Sequence, residues 1–173
     1  MRLVTWAPMV AVLLLIVAPG ASAEEATTGY GLTPDGPTIH LPAAWSVVVD
    51  DLEGRLLGLS NDAPFVRVAA AHLDVAPDVS LETIRDEILD ALFGEPGVGA
   101  GTEDEATRPI GGQPALWTLV GHDGPAGPRR TLLIVQRDLS LRFDCDATAF
   151  NARRELIVRL ATLVERPVEE APR

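Results

Sequence analysis

The most constraining feature of this sequence is the order in which two hydrophobic patterns follow one another. Short apolar or alternating runs typical of β-strands occupy residues 38–74, and an amphipathic helical pattern follows at residues 81–92. A second group of strand-like runs occupies residues 106–144, and a second helical pattern follows at residues 148–165. This order differs from the strict strand–helix alternation of doubly wound parallel sheets. It predicts an α+β domain in which helices cover a mainly antiparallel sheet of about six to seven strands.

The start and stop signals of the two helices support this prediction. Ser80 can cap the first helix by accepting a hydrogen bond from a first-turn amide, and Gly94 can end it. Asp146 lies in the cap region of the second helix. Between the helices, residues 132–135 are apolar at every position, which predicts a central strand covered on both faces.

Three glycine-containing segments are predicted to be loops or turns. Residues 94–104 form a Gly-rich acidic loop, and residues 123–128 form the loop of a hairpin. Gly111 and Gly112 suit a turn that needs positive φ. The two loops are the least constrained surfaces of the predicted domain, and binding is often carried by such loops.

The start of the chain resembles a cleavable export signal. Arg2 supplies a positive charge, residues 10–17 are the densest apolar run, and residues 21–23 (Ala-Ser-Ala) fit the pattern of a cleavage site. A retained membrane anchor is the alternative, but a spanning helix needs about 20 apolar residues, and this run is shorter. We therefore expect an exported, soluble protein of the secreted or periplasmic fraction, with no membrane span after cleavage.

These signals divide the chain into four parts, three of which lie outside the predicted fold. We expect a signal peptide at residues 1–23, a flexible leader at 24–36, the α+β domain at 37–166 and a tail at 167–173.

The net charge of the chain excludes two classes of partner. All 25 Asp and Glu residues follow residue 23, against 13 of the 14 arginines, so the cleaved protein has a net charge of about −12. Nucleic acids and anionic membranes require a basic footprint, so neither is an expected partner.

Cys145 is the single cysteine, which excludes an intramolecular disulfide, and we expect it to be a buried thiol at a strand end. The lack of lysine and the abundance of Ala, Gly, Pro and Arg are typical of a GC-rich bacterial genome.

Three motifs, in order and at suitable spacing, resemble those of the PsbP-like superfamily. Residues 39–45 (Ile-His-Leu-Pro-Ala-Ala-Trp) resemble the opening of these domains, and residues 79–89 resemble their first helix. Residues 110–116 (Ile-Gly-Gly-Gln-Pro-Ala-Leu) resemble the turn into their second group of hairpins. The likeness spans roughly residues 37–165 and extends to exported bacterial proteins of the DcrB and LpqN type.

This resemblance implies an α/β/α sandwich and an accessory or binding role. The superfamily has no shared catalytic residues to carry over to this chain. LpqN-type lipoproteins carry a lipid-attachment cysteine, whereas this chain has none at the predicted cleavage site. We therefore expect a product without a lipid anchor.

Candidate site residues are few and dispersed along the sequence. His40, His72 and His122 lie at or near predicted strand ends, where imidazoles could converge on a metal ion. Their separations are long and no paired-histidine motif accompanies them, so we expect no metal and no other cofactor. Trp45 and Trp117 are expected in the core or at a sheet edge, with the wall of a ligand groove as the alternative. These five residues form the predicted candidate binding surface.

The sequence carries no G-x-S-x-G motif, P-loop or dinucleotide fingerprint. The leading prediction is an exported non-enzymatic accessory or binding domain that contacts an unidentified protein or small ligand. Two alternatives stay open: a hydrolase with a site assembled from scattered histidines and carboxylates, and a structural envelope protein with an acidic, cation-binding surface. A cleft that gathers histidines and carboxylates would favour the hydrolase. Scattered polar residues and an exposed apolar patch would favour binding.

Overall fold

The computed structural model describes residues 26–50, 53–94 and 99–166, which form ten strands and two helices. The elements of the first half, in chain order, are β1 (Thr27–Gly31), β2 (Thr38–Pro42), β3 (Ser46–Asp50), β4 (Arg55–Leu59), β5 (Arg67–His72) and α1 (Leu81–Phe93). Those of the second half are β6 (Ala100–Ile110), β7 (Gln113–Gly124), β8 (Gly127–Val135), β9 (Leu139–Asp146), α2 (Ala147–Thr162) and β10 (Val164–Glu165).

Two antiparallel sheets organise the domain. The larger has seven strands in the order β3-β4-β5-β9-β8-β7-β6, and the smaller has three in the order β1-β2-β10. Every neighbouring pair in both sheets is antiparallel. The α+β prediction with a mainly antiparallel sheet is confirmed.

The helix caps are those that the sequence predicts. The Ser80 side chain accepts a hydrogen bond from the Thr83 amide at 3.1 Å, and Gly94 is the C-cap residue of α1. Asp146 caps α2 by accepting from the Ala149 amide at 2.7 Å. Each cap satisfies an amide that has no partner inside its own helix.

The inner face of the seven-stranded sheet carries the main hydrophobic core. Helix α2 and the three-stranded sheet cover this face, and their apolar side chains form one cluster with those of the sheet. Fully buried members include Phe143 on β9, Val68 on β5 and Ile157 on α2. Burial of this cluster is the main driving force for folding, because a chain with one cysteine has no disulfide within it.

The outer face of the same sheet is covered by α1. Ile84 of the helix packs against Leu133 and Val135 of β8, with further apolar residues of the helix and of the loop before it around them. Strand β8 is therefore buried from both sides over residues 131–135. This confirms the central, doubly covered strand predicted from its continuous apolar run.

The structure differs from the sequence predictions at four places. The hairpin loop predicted for residues 123–128 is a two-residue turn, because Asp123 and Gly124 of β7 pair with Pro128 and Gly127 of β8. Thr27–Gly31, inside the predicted leader, is strand β1 and pairs with β2. Strand β6 begins at Ala100, inside the predicted 94–104 loop, and pairs with β7 through a register shift. Helix α2 ends at Thr162 rather than residue 165, because Val164 and Glu165 pair with β2.

The turn at Gly111 and Gly112 has φ values of 53° and 78°, as predicted. The signal peptide predicted for residues 1–23 and the tail at 167–173 lie outside the described residues. Within the described ranges, no helix is long and apolar enough to cross a membrane.

Candidate functional site: a groove beside the first helix

Helix α1 covers only part of the outer face, and the uncovered part includes several apolar side chains. The strand register places Val48, Leu57, Ala69, Arg142 and Leu133 side by side in one row across five strands. The helix packs over the Leu133 end of this row. The other end, on β3, β4 and β5, lies open to solvent.

A groove of about 600 Å³ lies between the open strands and the helix. Its floor includes Leu57 and Ala69, and its wall includes Ile88 and Leu92 of α1. We call this feature the α1 groove. Its volume falls in the range of small-ligand sites, about 300–1,000 Å³.

Two exposed apolar side chains line this groove, and a third lies in the next row of the same face. Among the described residues, five large apolar side chains are exposed, and three of them are on the outer face of β3 and β4. Val48 is 69% exposed, Leu57 is 42% exposed, and Leu59, in the next row, is 45% exposed. Because exposure of apolar surface is costly, a contiguous patch of this kind is a candidate binding surface.

Three arginines, Arg55, Arg67 and Arg142, line the groove together with one acidic residue, Asp50. Two of the arginines are ion-paired, Arg55 with Glu53 at 3.7 Å and Arg142 with Asp144 at 2.9 Å. The groove therefore combines an apolar floor with guanidinium groups.

A chain of polar contacts positions one of these arginines. The Arg142 Nε lies 2.9 Å from Asp144 Oδ2. The Thr131 hydroxyl donates to Asp144 Oδ1 at 2.6 Å, and His122 Nε2 lies 3.0 Å from the same hydroxyl oxygen. The carboxylate is thus held from two sides, which limits the positions that the Arg142 side chain can take.

The helix that forms the groove wall is fixed by an arginine on its other side. Arg85 donates to Asp86 at 2.8 Å and forms an ion pair with Glu105 of β6. The hydrogen bond with Asp86 raises the pKa of Arg85, against the opposing effect of burial. The contact with Glu105 holds α1 toward the β6 side and leaves β3, β4 and β5 uncovered.

Several solved structures share this arrangement of sheet and helices. The solution structure of cyanobacterial PsbP (CyanoP) from Synechocystis matches with a TM-score of 0.59 at 13% identity, over 88% of this chain and 99% of that one. The fold is PsbP-like. This confirms the resemblance seen in the spaced motifs of the sequence.

Two further structures have the PsbP-like fold in common with this chain. A protein of unknown function, PA94 from Pseudomonas aeruginosa, matches with a TM-score of 0.50 at 17% identity, over 82% of this chain and 99% of that one. The Ran-binding protein Mog1p of Saccharomyces cerevisiae matches with a TM-score of 0.50 at 13% identity, over 83% and 86%. No protein-family model and no curated protein matches the sequence, so the likeness concerns the fold.

The two predicted tryptophans are core residues in this PsbP-like fold. Trp45 is 8% exposed and Trp117 is 6% exposed, and both belong to the inner-face cluster. The Trp117 Nε1 donates to the Arg108 carbonyl at 3.3 Å, so its one polar atom is satisfied. Neither ring lines the α1 groove.

The three predicted histidines have separate surroundings. His40 lies in the three-stranded sheet, with Nε2 3.2 Å from Glu165. His72 is exposed at the end of β5. His122 on β7 packs against Phe93 with ring centroids 4.7 Å apart and the rings tilted by 42°, and its Nε2 contacts the Thr131 hydroxyl. Among the described residues, no three His, Cys, Asp or Glu side chains form a group that could hold a metal ion.

None of the five predicted residues lines the α1 groove, and their role in binding stays a prediction. His122 reaches the groove indirectly, through Thr131, Asp144 and Arg142. Sequence reasoning missed the apolar residues that form the floor. The sequence does contain a signal of an exposed apolar surface. Residues 47–49 and 56–57 are apolar on both faces of their strands, and the hairpin that these strands form lies at one edge of the sheet.

Cys145 is the buried strand-end thiol that the sequence predicts. It is 1% exposed on the inner face of β9. Burial, with a smaller effect from Asp146, raises the pKa of Cys145 from 9.0 to about 11. The thiol is therefore protonated at neutral pH and unsuited to nucleophilic chemistry.

This pKa shift predicts a loss of stability at high pH. The folded protein favours the neutral thiol. The contribution of Cys145 to the free energy of unfolding is therefore fully present below pH 9 and is lost as the pH rises through about 11. The expected loss is about 2–3 kcal/mol. Urea unfolding between pH 8 and 11 measures it, and Cys145→Ala serves as the control because it lacks the titrating group. Parallel stability curves for the two proteins would contradict the shift.

Proposed function

We propose that this protein is an exported, non-enzymatic binding domain that holds its ligand in the α1 groove. The observation that carries the proposal is a groove of about 600 Å³ with an apolar lining that includes the exposed Val48 and Leu57, with the exposed Leu59 in the next row. Export rests on the signal predicted for the first 23 residues.

The comparisons support a binding role at the level of fold. Mog1p, which has a similar fold, is described as a Ran-binding protein. A fold does not by itself determine a function, so the argument for this chain depends on its own groove. The partner of Mog1p is not assigned to it.

The arrangement of polar residues supports binding over hydrolysis. His40, His72 and His122 lie on different strands of two sheets, and each has a different environment. Thr131 is the hydroxyl nearest to a histidine and a carboxylate, but it is fully buried. A nucleophile must reach a substrate carbonyl, and Thr131 is closed off from one.

A neutral apolar dye tests the groove directly. We expect Nile red to bind the folded protein with increased fluorescence. Ala69→Gln places a polar amide in the apolar floor and should weaken dye binding at least about tenfold, because a polar group without a partner is costly to bury. Fluorescence titration measures the dissociation constants of the dye for the unmodified protein and for the variant.

A matched substitution on the other side of the domain serves as the control. Ala152 is exposed on α2, so Ala152→Gln should leave dye binding unchanged. Circular dichroism checks that both variants are folded. Equal dye affinity of Ala69→Gln and the unmodified protein would overturn the proposed site.

A further inference from the structure

The groove has a polar end as well as an apolar one, and both restrict the chemistry of its ligand. Arg67 lies opposite Asp144 and Ala69 lies opposite Arg142, so the two arginines are diagonal neighbours across β5 and β9. Diagonal neighbours lie about 7–8 Å apart, a distance that long side chains bridge. Arg67 and Arg142 can therefore contact one bound anion together.

The contacts of Arg142 leave part of its guanidinium group for such an anion. Within the described residues, Arg142 meets Asp144 through Nε, which leaves its two terminal nitrogens available. Arg67 has no ion-pair partner among the residues that the structure describes. A guanidinium group held in place binds a carboxylate with less loss of side-chain entropy than a mobile one does.

The apolar end of the groove lacks side-chain groups that could form hydrogen bonds with a peptide. Its lining includes Val48, Leu57, Ala69, Ile88 and Leu92, none of which has a side-chain hydrogen-bonding group. A peptide laid over these residues would bring amide groups that they cannot satisfy, at a cost in free energy. A hydrocarbon chain has no such groups. The small Ala69 also allows a chain to lie close to the sheet.

Building on the proposed function, we propose that the ligand is a fatty acid. Its carboxylate lies between Arg67 and Arg142, and its hydrocarbon chain lies over Leu57 and Ala69, against Leu92 of α1. Arg67 and the two terminal nitrogens of Arg142 distinguish this ligand from a neutral lipid, since only a charged head group forms charge-assisted hydrogen bonds with them.

Decanoate and decanol, which share a chain length and differ in charge, test this inference by competition against Nile red. We expect decanoate to bind at least about tenfold more tightly than decanol, because it adds charge-assisted hydrogen bonds. Arg142→Gln and Arg67→Gln should each remove most of this difference, because each variant weakens decanoate binding more than decanol binding. Arg154→Gln, an exposed arginine on α2, is the matched control and should change neither affinity.

The outcomes separate this inference from the proposed function. Equal affinities for decanoate and decanol, with Nile red still displaced, would overturn the fatty-acid assignment and leave the binding site intact. If the dye does not bind, or if Ala69→Gln does not weaken its binding, the site itself would be overturned. Displacement of Nile red by an acidic amphipathic peptide but not by decanoate would overturn the assignment in favour of a protein partner.

Discussion

Phe143→Ala is expected to lower the free energy of unfolding by about 3–5 kcal/mol, the cost of removing an aromatic ring from a packed core. Phe143 is fully buried on the inner face of β9, between Val68 of β5 and Leu132 of β8. The helix and the small sheet that cover this face are parts of one cluster, so the cavity cannot collapse freely. Urea denaturation followed by circular dichroism measures the change.

A second phenylalanine provides a matched control. Phe65 lies just before β5 and is 56% exposed, so Phe65→Ala should change the free energy of unfolding by less than about 1 kcal/mol. The two variants remove the same atoms and differ in burial. Similar losses for both would show that the inner face is not the main core of the domain.

The elements that were predicted correctly are those with local causes. Residues 132–135 are apolar at every position, and the central strand follows from burial of both faces. Ser80 and Asp146 cap the helices through amides three residues away, so their role is contained in a few neighbouring residues. Local physics was sufficient in these cases.

The elements that were missed depend on distant partners. Thr27–Gly31 contains two glycines and no apolar run, and it becomes a strand because its backbone pairs with β2. The acidic start of β6 has a low strand propensity, yet it pairs with β7 at the edge of the large sheet. Its charges suit an edge strand, where they discourage pairing with other chains.

The candidate site was missed for a related reason. Histidines and tryptophans were selected for their chemistry, whereas the α1 groove depends on where the helix lies across the sheet. That position follows from Ile84 on β8 and from Arg85 on β6, two contacts that no local pattern contains. The apolar outer faces of β3 and β4 were visible in the sequence, but only the position of α1 shows that they stay uncovered.

A buried glutamine connects two turns of the domain with the residue that follows β10. The Gln136 Nε2 donates to the carbonyls of Ile110, at 2.9 Å, and Gln113, at 3.2 Å, on either side of the Gly111–Gly112 turn. Its Oε1 accepts from Arg166 Nη2 at 2.7 Å. Arg166 follows β10 and also forms an ion pair with Asp138. The amide thus joins the β6–β7 turn, the β8–β9 turn and the residue after β10.

Gln136→Met is therefore expected to lower the free energy of unfolding by about 2–4 kcal/mol. Methionine fills a similar volume but leaves the buried Ile110 carbonyl, the half-buried Gln113 carbonyl and one guanidinium group without this partner. A buried polar group that loses its partner costs about 1–3 kcal/mol before local rearrangement. Urea denaturation at neutral pH measures the loss. Gln113→Met is the matched control, because its exposed side chain should contribute less than about 0.5 kcal/mol.

A double-mutant cycle distinguishes the loss of this network from the loss of packing. Because Gln136 and Arg166 share a hydrogen bond, Gln136→Met and Arg166→Met should be non-additive, with a combined loss smaller than the sum of the two single losses. Packing effects at two separate sites would instead add. Additive losses, or a Gln136→Met variant as stable as Gln113→Met, would contradict the structural role of the amide. A coupled loss would show that the hydrogen bond between Gln136 and Arg166 helps to hold the end of β10, beside the two residues that pair with β2.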